Sequence, residues 1–209
     1  MNHQKQIAEN ISPYLFFIRF CLLFVILYLF FPFYWGIIGP GGKIYSSFLA
    51  ENFNIIKGFS SFLTGSARLL LNALGYDSFQ RQYNALRIGH SRGVVVNPSC
   101  LGWAVLSFWT AFVYANSGTV GHKLKWILTG CITITFINIV RIALIVLANH
   151  LNWSFIIHLD HHKTFNIASY GCMFVFMFFY IKRQKKYERM NIDLQSAKNF
   201  TTAGSRLSK

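Results

Sequence analysis

Three residues of uncommon chemistry, Cys100, Arg141 and His162, lie near the ends of different apolar segments of this sequence. A thiolate can attack a carbonyl group, and an imidazole can move the protons that the attack requires. A fixed cation in a site of low dielectric can stabilise the oxyanion that forms. These residue types indicate a cysteine-dependent acyl-transfer site, provided that the fold brings the three segment ends to one face of a membrane.

Arg141 lies within an apolar segment, where an ionised side chain is costly and therefore marks a candidate functional site. Counted from Trp126, its position is ~22 Å along a helix, in the outer third of a bilayer core. Asn138 lies one turn earlier on the same helix face. At this spacing Asn138 can hydrogen-bond Arg141 or a substrate carbonyl, so we expect it to support the site.

The polar loop at 149–165 allows a second chemical interpretation. It contains four side chains of types that bind transition metals, namely His158, Asp160, His161 and His162. Adjacent histidine side chains usually point apart, which weighs against one shared ion. A metal-dependent membrane enzyme stays an alternative to the cysteine enzyme, which needs neither a metal nor a cofactor.

The composition is that of an integral membrane protein. Of the 209 residues, 54% are hydrophobic and only 12% are charged, about half the share that is usual for soluble domains. The formal net charge is +14, and eight of the twenty Lys and Arg residues lie at or after Lys182. Because no nucleic-acid-binding motif accompanies this charge, we expect membrane lipid and not nucleic acid as its partner.

The predicted fold is an all-α membrane protein of about four transmembrane helices. The apolar runs place these spans at 20–38, 100–117, 126–148 and 166–181. An outer segment, 39–99, is predicted to contain amphipathic helices over 43–76 and a short β-hairpin over 79–97. A core at 1–182 would thus be followed by a basic, disordered tail at 183–209.

The distribution of basic residues predicts the orientation. Lys123 and Lys125 lie in the short loop before the third span, and the tail is strongly basic, whereas the 149–165 loop carries only Lys163. We expect the chain to lie in the inner membrane of a cell. The positive-inside rule then predicts that both termini are cytoplasmic. With four spans, Cys100 and the histidine loop reach the outer face together.

Three short motifs resemble those of the exosortase/archaeosortase family over roughly residues 13–182. Residues 99–102, Ser-Cys-Leu-Gly, resemble its Cys-x-Gly motif, with Gly102 as the glycine, and residues 138–141, Asn-Ile-Val-Arg, resemble its Asn-x-x-Arg motif. His162, four residues before Asn166, resembles its histidine motif, and His161 is a neighbouring candidate for the same role. The chain departs from the family in having about four predicted spans instead of about eight, and Asn where Gly often follows the histidine.

This resemblance implies a membrane cysteine protease or transpeptidase. Its substrates would be exported proteins that end in a short motif, a transmembrane helix and a basic tail, cleaved near the outer membrane face and transferred to a surface acceptor or released. Cys100 would be the nucleophile, His162 the general base and Arg141 the group that stabilises the oxyanion. A non-catalytic membrane scaffold is the remaining alternative, because it would account for the spans alone.

Overall fold

A computed structural model describes residues 13–39, 44–91, 93–151, 170–187 and 189–190 of the chain. The chain forms two units, Met1–Tyr170 and Gly171–Lys209, and each is described by itself. The first unit contains five of the six helices that we describe, together with the only β-sheet among the described residues.

Two long apolar helices dominate the first unit. Helix α1 spans Pro13–Ile38 and helix α5 spans Val120–His150, and both are long and apolar enough to cross a membrane. Their 26 and 31 residues correspond to ~39 and ~46 Å, more than the ~30 Å of a bilayer core. Both helices begin earlier than the predicted spans. Pro13 is well suited to the first helical position because it lacks an N–H group that would stay unbonded there.

The other two predicted spans are not shown to cross a membrane. Helix α4 spans Trp103–Ala115, and its 13 residues reach only ~20 Å. A 3-10 turn at Pro98–Leu101 precedes α4, so the single span predicted over 100–117 is interrupted at Gly102. Prediction and structure therefore agree on a mostly helical protein, and the described residues contain two helices of spanning length where we expected four spans.

The helix of the second unit, α6, is described over 170–187. The first residues of the predicted span 166–181 lie outside the described part of the chain. At the other end the prediction of a disordered tail from 183 is wrong for 183–187, which continue the helix. Lys, Arg and Gln favour helix almost as strongly as Leu, so the polar residues that end the apolar run do not end the helix.

The outer segment contains two helices and a small sheet, as the sequence indicated. Helix α2 spans Ser47–Asn52 and helix α3 spans Ile55–Ala73. Asn54 caps the start of α3, because its side chain accepts a hydrogen bond from the Lys57 amide at 2.8 Å. Such a cap satisfies one of the N–H groups that a helix start leaves unbonded. One face of α3 is buried, as expected for an amphipathic helix.

The predicted two-stranded hairpin is instead a three-stranded antiparallel sheet. Strands β1, β2 and β3 span Ser78–Gln82, Ala85–Ile88 and Val94–Val95, and they pair in that order. Within the predicted hairpin segment 79–97 the chain makes an additional turn at residues 83–84, next to a shift in the pairing register of β1 and β2. This turn contains neither Gly nor Pro, so the usual sequence signal for a hairpin is missing.

Packing joins the long helices to the outer segment. Helix α4 lies against α1 on one side and α5 on the other, and α3 packs on α5. The main core cluster combines the buried face of α3, the sheet, the 3-10 turn and the second half of α5. Its members are Ile38, Ile56, Leu63, Ala67, Leu71, Leu86, Ile88, Val96, Cys100, Leu101, Ile142, Ala143 and Val146.

The contact between α4 and α5 depends on one glycine. Trp109 of α4 is completely buried, and its indole Nε1 donates a hydrogen bond to the carbonyl of Trp126 at 3.1 Å. A Cβ atom at Gly130 of α5 would overlap the Trp109 ring. A residue without a side chain is therefore required where the indole of Trp109 meets α5.

We predict that Gly130→Ala destabilises the protein by about 1–3 kcal/mol, the usual cost of forcing extra atoms into a packed core. Gly121→Ala in the same helix is the matched control, because a Cβ there meets nothing within 4 Å. Alanine favours helix over glycine by about 1 kcal/mol, so the control should be neutral or stabilising. Unfolding of each purified variant in the same detergent measures both effects, and equal stability of the two variants would contradict the described packing.

Candidate functional site

Cys100 lies in the 3-10 turn and not in the first turn of an α-helix. The chain enters the turn from β3, where Val96 donates its amide to the Asn84 carbonyl at 2.7 Å and Asn84 Nδ2 donates back to the Val96 carbonyl at 3.3 Å. Within the turn the Cys100 amide donates to the Asn97 carbonyl at 2.8 Å. Cys100 is 8% exposed, so its thiol belongs to a buried, well-anchored turn.

Gly102 separates this turn from α4. Its backbone is left-handed, with φ +74 and ψ 17, and its carbonyl accepts the first hydrogen bond of α4 from Leu106 at 3.0 Å. Glycine adopts this conformation without the steric cost that other residues meet. Gly102 therefore holds the N-cap position of α4.

Asn138 connects α5 to the turn that carries Cys100. It is 6% exposed, and its Nδ2 donates to the Cys100 carbonyl at 2.9 Å. The same amide lies beside Gly102, since a Cβ built on that glycine would be 3.6 Å from Nδ2. We expected Asn138 to bond Arg141 or a substrate carbonyl, but the donor that the structure describes serves the backbone of Cys100.

Arg141 lies one turn beyond Asn138 on the same buried face of α5. It is 9% exposed, and Ile142 and Ala143, which follow it, belong to the main core cluster. Its Nε has no hydrogen-bond partner among the residues that the structure describes. A guanidinium carries five N–H donors, and a buried donor without an acceptor is costly. Arg141 is therefore a buried cation whose Nε has no acceptor among the described residues.

The residue directly after Gly102 connects the start of α4 to the middle of α1. Trp103, the first residue of α4, donates its indole Nε1 to the Leu27 carbonyl of α1 at 2.8 Å. Its ring also stacks on Phe31, with the ring centroids 5.4 Å apart. Trp103 is a positioning residue that was not predicted, although its place directly after a motif glycine was a signal for this role.

The histidines of the predicted site, His161 and His162, lie outside the described residues, as do His158 and Asp160. The structure therefore brings together Cys100 with Gly102 and Asn138, and it places Arg141 one turn away on α5. Within the described ranges, no group of three or more His, Cys, Asp or Glu side chains is arranged to hold a metal ion.

Searches with this chain against models of protein families, against curated proteins and against solved structures find no match.

We predict that Asn138→Leu destabilises the protein by about 1–3 kcal/mol, because it leaves the buried Cys100 carbonyl without its donor. Asn52→Leu is the matched control. Asn52 Nδ2 also donates to a backbone carbonyl, that of Phe48 at 3.0 Å, but this bond is exposed and water can replace it. Its loss should cost less than about 0.5 kcal/mol.

Chemical denaturation of the two purified variants beside the unchanged protein measures these differences. A second readout is the rate at which a thiol reagent labels Cys100 in a background with Cys21, Cys131 and Cys172 replaced by Ala. Loosening the turn should raise this rate in Asn138→Leu alone. Unchanged stability and an unchanged labelling rate would show that the bond does not hold the turn.

Proposed function

We propose that this chain is a membrane-embedded cysteine protease or transpeptidase of the exosortase/archaeosortase type. One observation carries the proposal: the hydrogen bond from Asn138 to the Cys100 carbonyl joins residues 38 positions apart. Asn138 is the first residue of the Asn-x-x-Arg motif, and Cys100 is the cysteine of the Cys-x-Gly motif. Two motifs that resemble those of a single catalytic family thus share one buried site, which a chance occurrence of short motifs would not require.

The proposed reaction is acyl transfer through a thioester. The Cys100 thiolate attacks the scissile carbonyl of the substrate, and a bond forms between Sγ and the carbonyl carbon. His162 accepts the thiol proton and then gives it to the departing amine as the peptide bond breaks. Water or an amine of a surface acceptor then attacks the thioester, which releases the thiol again.

Arg141 is proposed to stabilise the negative charge on the carbonyl oxygen during both attacks. A cation in a buried, dry site acts strongly on a developing charge, and a guanidinium fixed on a long helix needs little reorganisation. Its near-complete burial and uncommitted Nε support this role. Lysine would keep the charge but not the planar fork of donors, so it is not an equivalent replacement.

The proposed substrates are exported proteins with a C-terminal motif, a transmembrane helix and a basic end. Helices α1 and α5 support a location in the cell membrane, and the proposal adds two further spans, at 100–117 and 166–181. Both termini would then be cytoplasmic and the site would open toward the outer face. The basic residues at and after Lys182 support this orientation.

We predict that Cys100→Ala abolishes processing while leaving the protein in the membrane, because no other group replaces the nucleophile. The matched control is Cys172→Ala, because Cys172 is an exposed cysteine of α6. This variant should process substrates normally. The assay is mass spectrometry of C-terminal peptides from membranes of the native host carrying each variant. Proteins that keep an apolar C-terminal helix and a basic end should accumulate only with Cys100→Ala.

The other two roles are separated in the same assay. Uncleaved proteins should accumulate in membranes that carry Arg141→Lys and in membranes that carry His162→Ala. Membranes that carry His161→Ala should retain most processing. The quantity of each variant in the membrane is measured in parallel. Normal processing by Cys100→Ala would remove the cysteine mechanism, while loss with His161→Ala alone would keep the mechanism and assign the base to His161.

A further inference from the structure

Strand β3 forms one edge of the sheet and leads directly into the turn that carries Cys100. It is the last strand in the order β1, β2, β3, and its partner among the described residues is β2. Cys100 follows Val95 of β3 by five positions. An extended residue advances the chain by ~3.3 Å and a 3-10 residue by ~2 Å, so Val95 lies within ~13 Å of the proposed nucleophile.

The hydrogen bonds between β2 and β3 determine which backbone groups of β3 face its free edge. The Val96 amide donates to the Asn84 carbonyl at 2.7 Å, and Asn84 Nδ2 donates to the Val96 carbonyl at 3.3 Å. Both backbone groups of Val96 therefore point toward β2. Successive residues of an antiparallel strand point these groups in alternate directions, so the N–H and C=O of Val95 point away from β2.

This free edge is accessible at Val95. The Val95 side chain is 54% exposed, whereas Val94 and Val96 pack in or against the main core cluster. Gly93 and Asn97, which lie on either side along the same edge, are exposed as well. In the part of the chain that the structure describes, no residue beyond β2 bonds the Val95 backbone. An unpaired edge of this kind is a template for a further strand.

An extended peptide has the chemistry that this edge binds. Val95 and Gly93 offer no charged side chain to an ion, but a peptide can exchange main-chain hydrogen bonds with the outward N–H and C=O of Val95. Acyl transfer also requires that the scissile carbonyl is held beside the thiol. A peptide paired with β3 would run along the strand toward the Cys100 turn and would meet this requirement.

We propose that the short C-terminal motif of the substrate binds as a fourth strand beside β3, with main-chain hydrogen bonds to the N–H and C=O of Val95. This inference rests on the proposed acyl transfer at Cys100 and adds how the scissile bond is positioned. The added strand would lie ~4.8 Å from β3, and the scissile bond would lie about four residues from the substrate residue that pairs with Val95.

The test removes the outward N–H of Val95 and leaves the ladder between β2 and β3 intact. Proline lacks this group and is tolerated on an edge strand where the N–H faces away from the sheet. The probe is the protein that accumulates uncleaved with Cys100→Ala, and its binding is measured in detergent by thermophoresis. Adding Val95→Pro to the Cys100→Ala protein should weaken binding about tenfold, because one main-chain acceptor of the substrate is left unbonded.

The matched control is Arg81→Pro in the same Cys100→Ala protein. Arg81 is an exposed residue at the bulge of β1, the other edge strand, where proline is also tolerated. This variant should bind the probe to within about twofold of its parent. Equal binding by the Val95→Pro and Arg81→Pro proteins would overturn the added strand.

If Val95→Pro disturbs folding, crosslinking decides. Val95→Cys is made in a chain whose four native cysteines are replaced by Ala, and the probe carries single cysteines at successive positions around its cleavage site. Disulfides should form at alternate positions of the probe, because side chains alternate between the two faces of a strand. Disulfides at neighbouring positions alike, or at none, would overturn the proposal, the latter also if another segment of this chain occupies the edge.

Failure of this inference and failure of the proposed function give different results. Normal processing by Cys100→Ala would remove the proposed function and the added strand with it. Abolished processing by Cys100→Ala, together with unchanged binding by the Val95→Pro protein and no alternating disulfides, would remove the added strand alone.

Discussion

The hydrogen bond from Asn138 to the Cys100 carbonyl is the constraint on which the site depends. In an apolar environment an unbonded carbonyl is costly, so the turn and the long helix α5 hold each other in register. Gly102 makes the close approach possible by turning the backbone through a left-handed conformation. This contact places the backbone of Cys100 beside Asn138, which lies one helical turn before Arg141 on α5.

The two long helices, α1 and α5, fix the position of α4 along their length. Trp103 bonds the middle of α1, and Trp109 packs into the space left by Gly130 on α5. These contacts fix how far α4 can slide along its two neighbours. The 3-10 turn at the start of α4 lies beside α5, where Asn138 bonds the Cys100 carbonyl. The outer segment then packs against the second half of α5 and buries the turn.

The sequence predicted the elements better than their ends. Apolar runs located α1 and α5 because length and hydropathy define a span, but Arg19 and Lys123 are helix formers and gave no signal that the helices extend past them. The break at Gly102 was missed because the surrounding run is apolar on both sides. The extra strand was missed because its turn at 83–84 has an uncommon composition. Motif spacing identified Cys100 and Asn138, whereas their direct contact depends on the register between α4 and α5, which no local pattern encodes.

The central claim is that Cys100 carries the substrate as a thioester, and it is tested most directly by trapping that adduct. The substrate is the protein that accumulates uncleaved in cells with Cys100→Ala, incubated with the purified chain and quenched in acid. Peptide mapping by mass spectrometry should find the acyl group on Cys100 and show that neutral hydroxylamine removes it. Cleavage of this substrate by the Cys100→Ala protein, with no adduct on Cys100 of the unchanged protein, would contradict the account.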